Sequence, residues 1–190
     1  GMVLKDGSVM SKSKGNVVDP DDMMAKYGAD ALRIYVMFVA PPEKEIEWSD
    51  AGIEGSWRFL ARVWRLVDHW CDGITGTPQG GFEGISPEGR RLRRKTHDTI
   101  RRVTVDIEER QQLNTAISAM MELVNEIYAF SDATATGAPG RRAEGTIVPA
   151  EGPEVVAVVG EALSALVRML APFAPHTAEE LWERLAGRDG

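Results

Sequence analysis

The chain has 190 residues, 43% hydrophobic and 27% charged, enough to bury one full core with part of a second unit beside it. Its formal net charge of −7 excludes a protein that coats nucleic acid non-specifically and confines any polyanion contact to a local basic face. The single cysteine, Cys71, excludes intrachain disulfides and Cys-rich zinc sites, and the three histidines lie too far apart for metal-ligand spacing, so no protein-bound metal is expected.

Met2 to Leu4 and Ser8 to Met10 flank Asp6-Gly7, the dipeptide that supplies the positive φ angles of a two-residue turn, and predict a small hairpin. Ser11 to Val18 has no apolar period and contains Gly15 and Asn16, both tolerant of left-handed backbone, so it reads as a loop. Asp19-Pro20 opens a helix in which Asp19 caps and Asp21 and Asp22 complement the dipole. After a break near Gly28 it continues to Ala40, with Leu32, Tyr35, Val36 and Val39 on its inner face, and Pro41-Pro42 ends it. Glu43 to Trp48 reads as an extended connector, dividing residues 1–45 from 46–190.

Four long helices follow. Ser49 caps the first, whose inward face runs through Trp57, Leu60, Ala61, Trp64, Val67 and a buried, inert Cys71. Ser86-Pro87-Glu88 opens the second, with Leu92, Thr96, Ile100, Val103 and Ile107 inward, and Asn114 caps the third, with Ile117, Met120, Met121, Val124, Ile127 and Tyr128. The fourth starts at Pro153, with Val156, Val159, Leu163, Leu166, Val167 and Leu170 inward. A short last helix begins at a capping box, Thr177 to Glu180, and buries Leu181, Trp182 and Leu185. The linkers Asp72 to Ile85 and Asp132 to Gly152 are rich in Gly, Thr and Pro. The expected fold is mainly α, an antiparallel helix bundle preceded by a hairpin, a loop and a helix. No stretch of about 18 apolar residues is present to span a membrane and no leader pattern opens the chain, so a cytoplasmic protein is expected.

Chemistry concentrates in Ser11-Lys12-Ser13-Lys14, where ammonium and hydroxyl groups on a supple backbone suit a phosphate chain through charge-assisted hydrogen bonds. The spacing is not that of a Walker A loop, and a solvated basic loop is the competing reading. Arg90, Arg91, Arg93, Arg94 and Lys95 form the strongest local basic run, readable either as a solvated helix face or as a contact for RNA phosphates. The tryptophans Trp48, Trp57, Trp64 and Trp70 follow the buried helical period and read as core.

Met10 to Asn16, followed by Val17-Val18-Asp19-Pro20, resembles the Lys-Met-Ser-Lys-Ser loop of class I aminoacyl-tRNA synthetases, in the form carried by the leucine, isoleucine, valine and methionine subgroup. Tyr27 to Arg33 is similar to the helix after that loop, and Ala171 to His176 with Glu179 to Trp182 is similar to the end of the anticodon-binding bundle. Glu54 to Leu60 and Leu113 to Ser118 resemble the leucine members, so the chain is identified as the region from the loop through the bundle of a leucyl-tRNA synthetase.

The resemblance implies a loop that closes over ATP, carried with Mg2+, while the amino-acid carboxylate attacks the α-phosphorus. Lys12 would contact the phosphates as charge builds on pyrophosphate, Ser11 and Ser13 would hold the loop or donate to phosphate, and Met10 would pack it. Val9 stands where the family has its first motif lysine. The nucleotide-binding sheet and the His-x-Gly-His motif are not among these residues, so the resemblance implies that ATP and leucine bind through a separate catalytic half, that the bundle docks tRNA(Leu), that the whole enzyme is a monomer and that this chain alone is inactive. The same region of an isoleucine, valine or methionine enzyme, a stand-alone tRNA-binding helical module and a subunit of a split synthetase remain the alternatives.

Overall fold

The computed structural model describes residues 1–41, 43–75, 82, 84–134 and 152–186. Among them the chain forms β1 (Val3–Lys5), β2 (Ser8–Val9), a single 3-10 turn at Lys12–Lys14, α1 (Pro20–Tyr27), α2 (Ala29–Val39), β3 (Ile46–Glu47), α3 (Asp50–Thr75), α4 (Pro87–Glu108), α5 (Leu113–Thr134), α6 (Pro153–Leu170) and α7 (Pro175–Ala186). The mainly α bundle read from the sequence is the observed fold. Half of the first linker and most of the second lie outside the described residues, and α3 and α5 extend into their first positions.

The hairpin forms as its turn chemistry requires. Asp6 and Gly7 take φ of 55° and 67°, the left-handed pair of a two-residue turn, and Leu4 pairs with Val9 and Lys5 with Ser8. The connector adds a third strand, because β3 pairs parallel to β1 with Val3 opposite Ile46 and Leu4 opposite Glu47. Sheet order is therefore β2-β1-β3. Tyr35 ties this sheet to the helices: its hydroxyl accepts from the Ser49 N–H at 2.8 Å, and its ring meets Trp48 edge-on at 4.9 Å. Gly52 is needed there, since a Cβ would lie 2.5 Å from Cε2 of Tyr35.

Helix starts follow local chemistry. Ser49 Oγ accepts from the Gly52 N–H at 3.2 Å, and Ser86 Oγ accepts from the Gly89 N–H at 3.0 Å. The Ser86 N–H donates in turn to Glu154 on α6 at 2.6 Å, so the beginning of α4 is closed by a carboxylate from another helix. One core, including Val63, Leu66, Leu92, Met120, Leu123, Ile127, Leu163 and Leu181, joins α3 to α7. Ala31 and Ile34 of α2 enter the same core, which carries the loop segment onto the bundle. The buried hydroxyls of Thr96 and Ser131 donate back to the carbonyls of Leu92 and Ile127, so they enter the interior without an orphaned donor.

Several helical faces differ from the sequence reading. On α2 the inward residues are Asp30, Ala31, Ile34 and Tyr35, while Val36 and Val39 are 45% and 39% exposed. The apolar run Ile34 to Val39 has no polar gaps to fix the face, so packing against α3, α5 and α7 decides it. Trp57 is 47% exposed rather than core, because α3 turns Ile53, Ser56, Phe59, Leu60 and Val63 inward. On α4, Ile100 is exposed and Thr99 and Asp106 are buried in its stead.

Asn114 does not cap α5, which begins at Leu113 with the Gln112 carbonyl accepting from the Ala116 N–H. Its Oδ1 is buried without a hydrogen-bond partner among the described residues. Likewise α7 starts at Pro175, so Thr177 lies inside the helix and its N–H is satisfied by Asp30 of α2 instead of by a local capping box. Cys71 is half-buried, and burial pushes its thiol upward, away from the reactive thiolate.

Candidate functional site

The loop is more ordered than its polarity suggests. Ser11 caps the 3-10 turn, with its Oγ accepting from the Lys14 N–H at 3.3 Å and lying 3.1 Å from Ser13 Oγ. Gly15 closes the turn at φ 67°, where a side chain would be strained. Asn16 does not adopt the left-handed backbone its type permits. It is buried at 9% exposure and acts as a strut: Nδ2 donates to the Lys5 carbonyl at 3.1 Å and to the Val9 carbonyl at 3.5 Å, while Oδ1 accepts from the Ser11 N–H at 2.9 Å. One side chain thus braces the exit of the loop against both hairpin strands. Composition alone does not reveal this; an amide in a loop otherwise free of anchors was the only signal.

That frame leaves Lys12, Ser13 and Lys14 exposed, with Met10 and Ser11 partly covered. Neither lysine makes an ion pair among the described residues, so both ammonium groups are available to an anion. Just downstream, Asp19 Oδ1 accepts from the Asp21 N–H at 2.9 Å and starts α1, which buries none of its residues.

The basic run on α4 is placed differently. Arg93 makes a two-pronged pair with Glu161 of α6, at 2.6 and 3.1 Å, and stacks over the Phe82 ring at 3.8 Å. Although burial opposes ionisation of Glu161, the Arg93 guanidinium and His97 outweigh it and hold the carboxyl below its ordinary range. Arg91 reaches Glu126 of α5 at 2.7 Å and Lys95 reaches Glu122 at 2.7 Å. The hydrogen bond from Lys95 holds Glu122 below its ordinary range as well. Arg90 donates to the Ile85 carbonyl. Arg94 is exposed and has no ion pair among the described residues. Four of the five cations therefore bind the bundle's own groups, and one is left to solvent.

A third constellation went unread in the sequence. Asp30, 6% exposed in the first turn of α2, accepts from the Thr177 N–H at 2.6 Å and lies 3.0 Å from Nδ1 of His176. Burial alone would raise its pKa, but these hydrogen bonds outweigh it and hold the carboxyl below the ordinary range. One turn along α2, Arg33 donates from Nε to the Phe173 carbonyl and from Nη2 to the Pro172 carbonyl, each at 3.2 Å. Beside them Tyr27, Gly28, Trp57, Trp64 and His176 line a cleft of about 400 Å³. No group of three or more His, Cys, Asp or Glu side chains suited to a metal ion occurs among the described residues.

Known proteins sort these features. Residues 1–49 match the family described as tRNA synthetases class I (I, L, M and V), and residues 89–190 match the anticodon-binding domain of tRNA ligase. The leucine–tRNA ligase of Syntrophobacter fumaroxidans is 52% identical over 186 residues, 97% of this chain and 21% of that protein. The leucine–tRNA ligase of Geotalea daltonii is 49% identical over 189 residues, covering 100% of this chain and 21% of that protein. Among solved structures, the agnB2 LeuRS of Agrobacterium radiobacter K84, in a ternary complex with tRNA and LeuAMS, superposes with a TM-score of 0.75 at 34% identity. It covers 98% of this chain, and this chain covers 22% of it. The chain thus spans about a fifth of the length of the relatives it matches. Its first 49 residues resemble the class I synthetases, and through residues 89–190, more than half of its length, the chain belongs to the family of tRNA ligase anticodon-binding domains.

Proposed function

We propose that the chain is the part of a leucine–tRNA ligase that carries the ATP-phosphate-contacting loop, in residues 1–45, and the tRNA-docking bundle, in residues 46–190. The observation that carries the reading is the braced loop: Asn16 and Ser11 fix a 3-10 turn from which Lys12 projects unpaired into solvent. Near-50% identity with leucine–tRNA ligases over almost the entire chain supports leucine as the amino acid. The tRNA in the structural relative supports tRNA(Leu) as the docked partner.

In this reading ATP, accompanied by Mg2+, and leucine bind to the rest of the full-length protein. The leucine carboxylate attacks the α-phosphorus and pyrophosphate departs. Negative charge grows on the leaving phosphates, and the Lys12 ammonium lowers the barrier because it interacts more strongly with that developing charge than with ground-state ATP. Ser11 and Ser13 hold the turn, Met10 packs its base, and Lys14 is the second cation within reach. The whole enzyme acts as a cytoplasmic monomer.

Lys12→Ala in the full-length protein is expected to slow leucine-dependent ATP–pyrophosphate exchange on the order of a hundredfold or more, about 3 kcal/mol. Leucine binding should be unchanged. An undiminished exchange rate overturns the reading of the loop, and charging with isoleucine, valine or methionine in preference to leucine overturns the specificity. The isolated 190-residue chain is expected to give no exchange at all.

A further inference from the structure

Two side chains one helical turn apart on α2 grip both ends of a single bend in the bundle. Residues 171–174 connect α6 to α7; Ala171 donates back to Val167, Phe173 and Ala174 donate to Leu170 and Ala178 donates to Ala174, while the Pro172 and Phe173 carbonyls and the Thr177 N–H find their partners on α2. Arg33 supplies donors to the carbonyls of Pro172 and Phe173, and Asp30 supplies an acceptor to the Thr177 N–H. Each charge has the sign that its helix end favours: a cation at the carbonyl end of α6 and an anion at the amide end of α7. His176 completes the Asp30 contact. No other described element reaches that bend with side chains of both signs.

The grip has a direction along the chain. Asp30 lies two residues beyond Gly28, whose φ of 86° breaks α1 from α2, and α1 follows directly from the braced loop. Because α1 fully buries no residue and meets the core only through Tyr27 at its end, its orientation leans on this joint. We infer that Asp30 and Arg33 are positioning residues that lock the loop-bearing segment to the C-terminal end of the bundle, so that the Lys12 loop and the docked tRNA hold one fixed relation. The catalytic consequence rests on the function proposed above; the mechanical link does not.

The test uses the full-length protein with Asp30→Asn and, as a milder change at an exposed position, Arg33→Met. Amide hydrogen exchange is the first readout. Loss of the grip should raise exchange about tenfold, the scale of one charge-assisted hydrogen bond, in residues 171–186 and also in α1, residues 20–27, with residues 113–134 and the loop that Asn16 braces to the hairpin unchanged. A rise confined to residues 171–186, or no rise in either variant, reduces the contact to a local helix cap and overturns the inference.

The second readout separates positioning from mere destabilisation. Leucine-dependent ATP–pyrophosphate exchange should persist near wild-type rate, while the kcat of tRNA charging falls on the order of tenfold to a hundredfold with the tRNA KM retained. Equal loss of both activities overturns the inference, because loss of folded enzyme scales both alike. If the wild-type protein shows no leucine-dependent exchange, the functional reading fails, and hydrogen exchange alone decides the link.

Discussion

Asn16 is the residue that turns a polar stretch into a site. Its amide makes three hydrogen bonds to backbone groups of Lys5, Val9 and Ser11, and no other described side chain in the loop reaches back to the hairpin. Asn16→Ala is therefore expected to leave the bundle's melting unchanged but to free the loop. In the full-length protein, ATP–pyrophosphate exchange should drop by about tenfold, as one buried network worth roughly 1–2 kcal/mol is lost from the arrangement that presents Lys12. The motif around Lys12 was legible because order and type are fixed there, Ser-Lys-Ser-Lys-Gly in sequence. The strut was not, since its partners are carbonyls, which every residue possesses. Asp30 was hidden for a similar reason: on a helix read as apolar, a lone acid looks like surface, and its partners lie 146 and 147 residues away.

Among the elements, α4 carries the most misleading surface. Its run of cations reads as a face for polyanions, yet Glu122 and Glu126 on one side and Glu161 on the other hold Lys95, Arg91 and Arg93. Exposed pairs of this kind contribute about 0.2–1 kcal/mol, whereas the two-pronged, stacked Arg93 is expected to stand at the upper end. Arg93→Gln should thus lower the melting temperature by a few degrees, and a double-mutant cycle with Glu161→Gln should recover most of the effect as coupling. Arg94→Gln should behave oppositely. It should leave stability unchanged while weakening tRNA binding and reducing the salt slope by about one, as measured in the full-length protein by titration at several salt concentrations. Replacing Arg90, Arg91, Arg93 and Arg94 together with Gln and finding tRNA affinity unaltered would remove this face from the RNA interface. Helix existence and most starts were readable from caps and period. The faces of α2 and α3 were not, because long apolar runs satisfy more than one packing direction.

At the scale of the whole molecule, acid should loosen the assembly by a nameable route. Asp30, Glu122 and Glu161 all have folded pKa values below their ordinary range, so the stability they contribute is complete above about pH 5. It is lost as pH falls through the depressed folded values, when each carboxyl takes up a proton. Thermal melts of the chain should therefore be level from pH 7 to 5 and fall steeply below about pH 4, with a shallower fall in Asp30→Asn. The division into a loop segment and a bundle follows the connector in sequence, but Ala31 and Ile34 show that the first unit plants a helix in the core of the second. The β1 strand has a related consequence. Residues 3–5 form the middle of the sheet, with one neighbour from the hairpin and the other from the entry to α3. Trimming the chain to begin at residue 6 would remove the sheet's centre and not its margin, leaving β2 and β3 with no shared neighbour and the Lys12 turn without its foundation.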